Sequence, residues 1–281
     1  MSPPVPSLTT GERNITVHLK HVKPHPPPMA SVDEIISHLD ELLEPERFDD
    51  HGPNGLQVPG PEEASTVVTG VSASLELLER ARDEGAGLVL VHHGLFWDGA
   101  PRALSRPLAA RLRTLLEGEM ALAAYHLPLD AHPQVGNNAL IAEGLGAADP
   151  RPFDAHAGAP IGVAARFPGE GIAAAALFDR VRELTAREPL VFAAGPDPVR
   201  SIGIVSGGAA GSVETAIAEG LDAFVTGEPR EPSMATAREA GIHFVAAGHH
   251  ATETFGVRRL GELLEARFGV RHVFVDVPNP V

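Results

Sequence analysis

Two stretches of the chain repeat the same order of apolar and polar positions. In each stretch, three apolar runs of strand length alternate with segments that have a helical period. The stretches cover about residues 66–126 and 201–249. Glycines stand at matching places, and the intervals 85–92 and 220–227 have the same length. The repeat is longer than the periods of solenoid proteins, so it predicts two related strand-helix-strand-helix-strand units.

The third apolar run of each unit leads into a histidine and, four residues later, an acidic residue. The pairs are His126 with Asp130 and His249 with Glu253. Residues four apart on a helix project side by side, and an imidazole beside a carboxylate is a ready pair of ligands for a divalent metal. One such pair alone is more simply a solvated helix face, but the second copy favours a site. Pro128 argues against a regular helix in the first copy, so we expect Asp130 on a loop and Glu253 on a helix.

Further candidate residues follow the second apolar run of each unit. His92 and His93 end that run in the first unit, and Glu228 follows it in the second. Open α/β sheets bind ligands at the carboxyl ends of their strands, so we expect these residues to converge with the two pairs. The alternatives are a His pair on an exposed sheet edge and, for Glu228, a ligand, a general acid or base, or a helix cap. The predicted fold class is α/β, with two related α/β lobes from an internal duplication and a metal site in the cleft between them.

Composition along the chain suggests where these lobes begin and end. Residues 1–28 contain seven prolines and no helix or strand period, so we expect a disordered extension there. We assign residues 29–148 to the first lobe and residues 161–281 to the second. Residues 149–160 are rich in Pro, Ala and Gly, which favours a linker. The last strand, near residues 270–277, could join either lobe.

Two loops are candidates for the walls of the site. Residues 207–212, Gly-Gly-Ala-Ala-Gly-Ser, precede a helical segment. Such a loop could hold an anion through its backbone N–H groups or could be only a tight turn, since it lacks the Lys of a Walker loop and the full dinucleotide fingerprint. A second, polar loop carries Asn54 and Gln57, which could line a pocket. Trp97 is most simply a hydrophobic wall beside the site.

Composition narrows the class of partner and the chemistry of the site. The chain has 22 Lys and Arg against 37 Asp and Glu, a formal net charge of −15, which argues against a nucleic-acid backbone or an anionic membrane as the main partner. Cysteine is absent, so any metal must be held by His, Asp or Glu. The sequence has no apolar stretch that could span a membrane and no signal peptide, so we expect a cytoplasmic protein.

Four motifs taken together resemble one known family. The family is that of the dinuclear metal centre hexameric proteins, also called NIF-three-like and often named GTP cyclohydrolase 1 type 2. The motifs are Asn54-Gly55-Leu56-Gln57, Val91-His92-His93-Gly94, His126-Leu127-Pro128-Leu129-Asp130 and Gly248-His249-His250-Ala251-Thr252-Glu253. The resemblance implies a bilobal α/β protein that assembles into a toroidal homohexamer with two metal ions in the cleft. It implies that the metal ligands are His92, His93, Asp130, His249 and Glu253, and it does not firmly add His126.

The resemblance also implies a function. Two divalent ions per chain are expected, and a set of histidines and carboxylates suits zinc, iron, manganese or cobalt without choosing among them. The leading hypothesis is a metal-dependent hydrolase of the GTP cyclohydrolase 1 type 2 kind that acts on a nucleotide or a related compound. Its candidates for proton transfer are Glu228, His126 and His250. The alternative is a hexameric scaffold that binds or delivers metal without catalysis. A small-molecule substrate fits the first hypothesis, and neither needs nucleic acid or a membrane.

Overall fold

The computed structural model describes residue 1 and residues 28–281, so most of the predicted extension, residues 1–28, lies outside the described residues. The helices are α1 (Val32–Leu43), α2 (Leu75–Asp83), α3 (Arg106–Glu117), α4 (Leu127–Ala131), α5 (Asn137–Gly144), α6 (Ala174–Thr185), α7 (Val213–Ala218), α8 (Ser233–Ala240), α9 (His249–Thr252) and α10 (Thr254–Phe268). The strands are β1 (Ala30–Ser31), β2 (Gly55–Val58), β3 (Glu63–Ala64), β4 (Thr66–Ser72), β5 (Leu88–His93), β6 (Ala121–Ala124), β7 (Ala148–His156), β8 (Ala159–Arg166), β9 (Leu190–Phe192), β10 (Ser201–Val205), β11 (Ala223–Thr226), β12 (His243–Ala246) and β13 (Arg271–Phe274). None of the described helices is long and apolar enough to cross a membrane.

Five strands form the first sheet, in the order β13-β4-β5-β6-β2. Neighbours from β13 to β6 are parallel, and β2 is antiparallel to β6. Helix α10 covers one face of this sheet, with Val257, Leu260 and Leu264 in the core. The helix and strand near the C-terminus therefore belong with the first sheet, although the sequence assigned most of this segment to the second lobe. An apolar stripe shows that a helix is covered but not which sheet covers it.

Six strands form the second sheet, in the order β7-β8-β10-β11-β12-β9. Strands β10, β11 and β12 are parallel, and β8 and β9 flank them in the antiparallel direction. Most of residues 149–160 form the hairpin of β7 and β8 instead of the expected irregular linker. Ala157 and Gly158 both have positive φ, as a tight two-residue hairpin turn requires. Two of the three prolines that favoured a linker, Pro150 and Pro152, lie on β7, an edge strand, which is where sheets tolerate proline. Pro160 is the second residue of β8.

The central strands of both sheets are buried on both faces. In β5, Leu88 and Leu90 enter the core under α10, whereas Val89 and Val91 enter the core under α2 and α3. The second sheet repeats this alternation between two cores. Parallel sheets covered on both faces leave only the strand ends open to polar chemistry. The elements β4-α2-β5-α3-β6 and β10-α7-β11-α8-β12 both show the unit that the repeat predicted.

Candidate metal centre

Side chains that follow strands of both sheets meet in one cluster. His92 and His93 end β5, His126 follows β6, and His249 begins α9 after β12. Within the described residues, three groups of side chains have possible ligand atoms within 4.8 Å of one another. The groups are His92-His93-His126, His93-His249-Glu253 and His92-Asp130-Glu253. These groups could hold a metal ion, and they include every ligand that the family resemblance implies as well as His126.

Two short helices position the carboxylates of the cluster. Asp130 lies in α4, where we expected a loop. The helix can form because Pro128 falls in its first turn, where backbone N–H groups have no partner within the helix anyway. Glu253 lies at the junction of α9 and α10, with φ −110° and ψ 6°. This break in the helix still leaves its Oε1 3.1 Å from Nε2 of His249. In the second copy the spacing of four residues therefore brings imidazole and carboxylate together, as predicted from the sequence. In the first copy, His126 and Asp130 belong to different donor groups of the described residues.

All four histidines of the cluster are held from behind through Nδ1. Nδ1 of His92 lies 3.0 Å from a backbone carbonyl, that of His93 3.0 Å from a serine hydroxyl, and that of His126 2.7 Å from a carboxylate. The partners are Tyr125 O, Ser72 Oγ and Asp50 Oδ1, and for His249 the partner is Glu228 Oε1. A histidine whose Nδ1–H donates outward presents the Nε2 lone pair inward, which is the arrangement that metal-binding histidines use.

Two buried polar atoms at the centre of the cluster have no hydrogen-bond partner in the part of the chain that the structure describes. Nε2 of His92 lies 3.5 Å from Asp130 Oδ2 and 3.5 Å from Glu253 Oε1, but neither contact is a hydrogen bond. Oε2 of Glu253 is also unsatisfied, although the residue is only 2% exposed. Burying such atoms without a partner is costly. A cation between them would satisfy both, so the residues fit a metal ion.

The cluster also shifts the pKa values of its members. Burial alone would lower the pKa of His92, but the carboxylates of Asp130 and Glu253 raise it well above its usual range. Burial would raise the pKa of both carboxyl groups, yet the neighbouring imidazoles hold them below their usual range. Burial lowers and the adjacent carboxylates raise the pKa of His249, which reaches about 9. The cluster therefore needs positive charge at its centre, from protons or from metal.

Three polar residues that the sequence analysis did not single out orient Asp130. Its Oδ1 accepts hydrogen bonds from Asn137 Nδ2 at 2.8 Å and from Ser206 Oγ at 2.9 Å. Asn138, the next residue, donates to the backbone carbonyl of Asp130 and accepts from the Ser206 amide. Both asparagines are fully buried. Two adjacent asparagines at the start of a segment with a helical pattern are the one sequence signal that could have pointed to them.

Asp50 organises the loop that braces His126. Burial would raise its pKa, but hydrogen bonds from His126, Asn54 and the Leu127 amide lower it to about 2. Asn54 also accepts from the backbone N–H of His126. Gln57 accepts from the amide of Leu95 at 2.8 Å and so shapes the chain just after the histidine pair. The two residues proposed as pocket lining therefore support the site from behind.

The two other candidates for proton transfer lie outside the centre of the cluster. His250 turns away, and its Nε2 lies 2.9 Å from Asp276 Oδ1. Its amide donates to the carbonyl of Val281, so this residue anchors the C-terminal segment. Glu228 contacts His249 and does not cap α8, where Pro232 stands at the N-cap. Its position suits a residue that orients a metal ligand.

We expect Glu228→Ala to weaken metal affinity by about 10–100-fold, the usual cost of losing a partner that orients a ligand. Glu228→Gln keeps an acceptor for Nδ1–H of His249 and should lose less. Competition with a chromogenic chelator measures both affinities. Glu231→Ala, at an exposed position three residues away, is the matched control. Equal affinities for Glu228→Ala and the control would show that the contact does not orient His249.

The cluster opens into a cavity of about 790 Å³. Trp97 stands at its wall, with ring centroids 5.8 Å from His93 and 5.2 Å from His126, so the predicted hydrophobic wall lies beside the site. His51 and His156 also line the cavity, with their ring centroids 4.7 Å apart and their planes tilted by 58°. A cavity of this size accommodates a small molecule next to the cluster.

Comparisons with known proteins identify relatives over nearly the whole described chain. A Pseudomonas aeruginosa protein named GTP cyclohydrolase 1 type 2 homolog is 43% identical over 250 residues, 89% of this chain and 98% of that protein. An Escherichia coli protein of the same name is 40% identical over 243 residues, 86% of this chain and 96% of that protein. Among solved structures, one described as protein ybgI of unknown function is similar with a TM-score of 0.84 and 38% identity, covering 90% of this chain and 100% of that chain.

A second solved structure and a family model agree with these relatives. Protein TTHA1606 from Thermus thermophilus is similar with a TM-score of 0.81 and 38% identity, covering 90% of this chain and 100% of that chain. The family model Duf34/NIF3 (NGG1p interacting factor 3) matches residues 30–280. The resemblance inferred from the four motifs is thereby confirmed. The chain belongs to the Duf34/NIF3 family.

Proposed function

We propose that this protein binds two divalent metal ions and hydrolyses a nucleotide or a related compound, as its relatives' name, GTP cyclohydrolase 1 type 2 homolog, suggests. The observation that carries the proposal is the cluster itself. Four imidazoles with Nδ1 engaged outward lie in one cluster with two buried carboxylates. A cluster of this kind beside an open cavity suits catalysis on a small molecule better than storage of metal alone.

The donor groups divide naturally into two ion sites. His93 and His249 with Glu253 would hold one ion, and His92 and Asp130 with Glu253 the other, so that Glu253 contributes to both. Histidine and carboxylate donors admit zinc, iron, manganese or cobalt. Two such ions, when bound, supply Lewis acidity and lower the pKa of water enough to yield a nucleophile at neutral pH.

The chain's own residues supply the proton chemistry and the walls. His126 donates from Nδ1 to Asp50 and so keeps Nε2 free to accept a proton on the cavity side. A carboxylate behind an imidazole fixes its tautomer and stabilises the protonated ring. We therefore assign general acid and base work to His126, and leave Glu228 as an orienting residue and His250 as a structural one.

The proposal also covers the origin of the two lobes, the position of the site, the assembly and the location of the protein. The matching β-α-β-α-β units and the equal spacing of His126-Asp130 and His249-Glu253 support an internal duplication. Donor atoms from the ends of both sheets support a site in the cleft between two lobes. A toroidal homohexamer and a cytoplasmic location complete the proposal, the hexamer from the family resemblance alone.

A substrate screen on metal-loaded protein tests the function. Nucleotides are tried first, and hydrolysis is followed by chromatography of the products. The metal-loaded protein should turn over one of them faster than the free ions do, and Glu253→Gln should not. Tight metal binding with no rate above that of free metal would replace this proposal with the alternative, a metal-binding or metal-delivery scaffold.

Metal binding should release protons at neutral pH. In the metal-free protein the pKa of His249 is about 9 and that of His92 lies well above its usual range, so both are protonated at pH 7. Ions bind neutral imidazole, so affinity should rise with pH up to about 9 and fall as the pH drops. Titration calorimetry at pH 7.5 in two buffers with different ionisation enthalpies measures the release. Heats that do not depend on the buffer would contradict the prediction.

A further inference from the structure

Two arginines line the same cavity as the metal cluster. Arg111 comes from α3, which covers the first sheet, and Arg230 from the loop between β11 and α8 of the second sheet. Neither guanidinium has a carboxylate within 4.0 Å in the described part of the chain. Nε of Arg111 is buried and has no hydrogen-bond partner among those residues. Buried arginine N–H groups without an acceptor are uncommon, and here they border an open cavity.

The rest of the cavity lining offers little negative charge. Apart from the carboxylates of the metal cluster, Asp154 is the acidic residue that lines the described cavity, and it accepts a hydrogen bond from Thr215 at 2.9 Å. The chain as a whole carries a formal net charge of −15, so two guanidinium groups in one cavity, without a carboxylate partner in the described chain, are not a general property of its surface. They create a local positive field inside an acidic protein.

The glycine-rich loop of residues 207–212 stands beside Arg230. Gly208, Ala209, Gly211 and Ser212 line the cavity, and a Cβ on Gly211 would lie 3.5 Å from the Nη1 of Arg230. Within the described residues, the amides of Gly208 and Ala209 donate to no protein acceptor. Free amides beside a guanidinium suit an oxyanion. Of the two functions considered for residues 207–212, binding an anion through backbone N–H groups therefore fits the structure better than serving only as a tight turn.

We infer that Arg111, Arg230 and the loop of residues 207–212 form a subsite for a phosphate group of the substrate. This inference rests on the proposed function, because it assigns part of the substrate that reacts at the cluster. One guanidinium fork engages both oxygens of a carboxylate, whereas a phosphate has further oxygens that can accept from a second guanidinium group and from backbone amides. The substrate class is thus a phosphorylated small molecule whose reactive end lies at the metal cluster.

Binding of inorganic phosphate to metal-free protein tests the subsite, because phosphate cannot then bind to the ions. The affinity is measured by calorimetry for the wild type, for Arg111→Gln, for Arg230→Gln and for the double variant. Each single variant should bind phosphate at least about tenfold more weakly, since hydrogen bonds to charged groups contribute that much. Arg113→Gln, on the same helix with a side chain 72% exposed, should bind like the wild type.

Three further measurements separate this inference from the proposed function. The arginine variants should keep wild-type metal content, because neither side chain belongs to a donor group. Arg111→Lys keeps the charge but not the fork and should fall between the wild type and Arg111→Gln, which guards against a folding defect. Acetate should bind more weakly than phosphate. Phosphate affinity that is absent in the wild type, unchanged in the glutamine variants or matched by acetate overturns the subsite, whatever the metal site does.

Discussion

Glu253→Gln should remove most of the bound metal from the protein. Glu253 belongs to two of the three donor groups, so its loss weakens both proposed ion sites at once. Loss of a residue that only orients a ligand weakens metal binding by about 10–100-fold, and loss of a shared carboxylate should exceed that. Glutamine has nearly the same shape, so it fits the space in which Glu253 is only 2% exposed.

Although Glu253→Gln should lose most of its metal, the stability of the metal-free fold should change little. Removing one partner of a buried charge pair costs about 3–5 kcal/mol when the other charge stays. His92 can instead release its proton, because the raised pKa depends in part on the Glu253 carboxylate. The metal-free variant should therefore melt only slightly below the metal-free wild type.

Elemental analysis after equal purification and metal loading measures the effect. Glu262→Gln is the matched control, since Glu262 lies on α10 with a side chain 64% exposed and pairs only with Arg259 among the described residues. The control should keep wild-type metal content. A folded Glu253→Gln protein that still holds the wild-type amount of metal would mean that the ions bind elsewhere.

Gly207→Ala should destabilise the fold and the metal site together. Gly207 has φ +65°, and a Cβ there would overlap Oε1 of Glu253 and lie 3.2 Å from Nε2 of His249. The backbone cannot move aside easily, because its N–H donates to Thr252 Oγ1 at 3.0 Å and its carbonyl accepts two amides. The left-handed conformation costs an alanine about 1–2 kcal/mol, and overpacking adds about 1–3 kcal/mol.

Gly220→Ala is the matched control for this effect. Gly220 has φ +68°, and a Cβ there meets nothing within 4 Å, so the control carries the conformational cost without the overlap. For a chain of this size, the difference of about 1–3 kcal/mol should lower the melting temperature of Gly207→Ala by roughly 2–12 °C relative to the control. Only Gly207→Ala should lose metal affinity. If both variants melt together and bind metal alike, Gly207 does not set the space for the ligands.

Much of the candidate site could be predicted because its members follow strands. Residues at the carboxyl ends of parallel strands share one edge of a sheet, so a repeat of apolar runs that end in His or acidic residues indicates which residues meet. His92, His93, His126, His249 and Glu253 were found in this way. Asp50 could not be, because it lies 76 residues before the histidine that it contacts and in no repeated element.

Other features depended on contacts between distant segments. Pro128 looked like a helix breaker, yet in the first turn of α4 it removes no hydrogen bond. Pro150 and Pro152 favoured a linker, yet they lie on β7, an edge strand, which tolerates proline. The conformational propensity of proline describes the residue in isolation. Its position within the helix or sheet decides whether that element forms.

The sequence by itself determined the α/β class, the repeated unit and the pairing of His249 with Glu253, because these follow from local periods and fixed spacings. Only the tertiary structure decided that α10 covers the first sheet and β13 forms its edge, that Asn137 and Ser206 orient Asp130, and that His250 faces away from the site. Each of these depends on which distant surfaces bury one another. A period of apolar residues states that a face is buried, and only the folded chain shows against what.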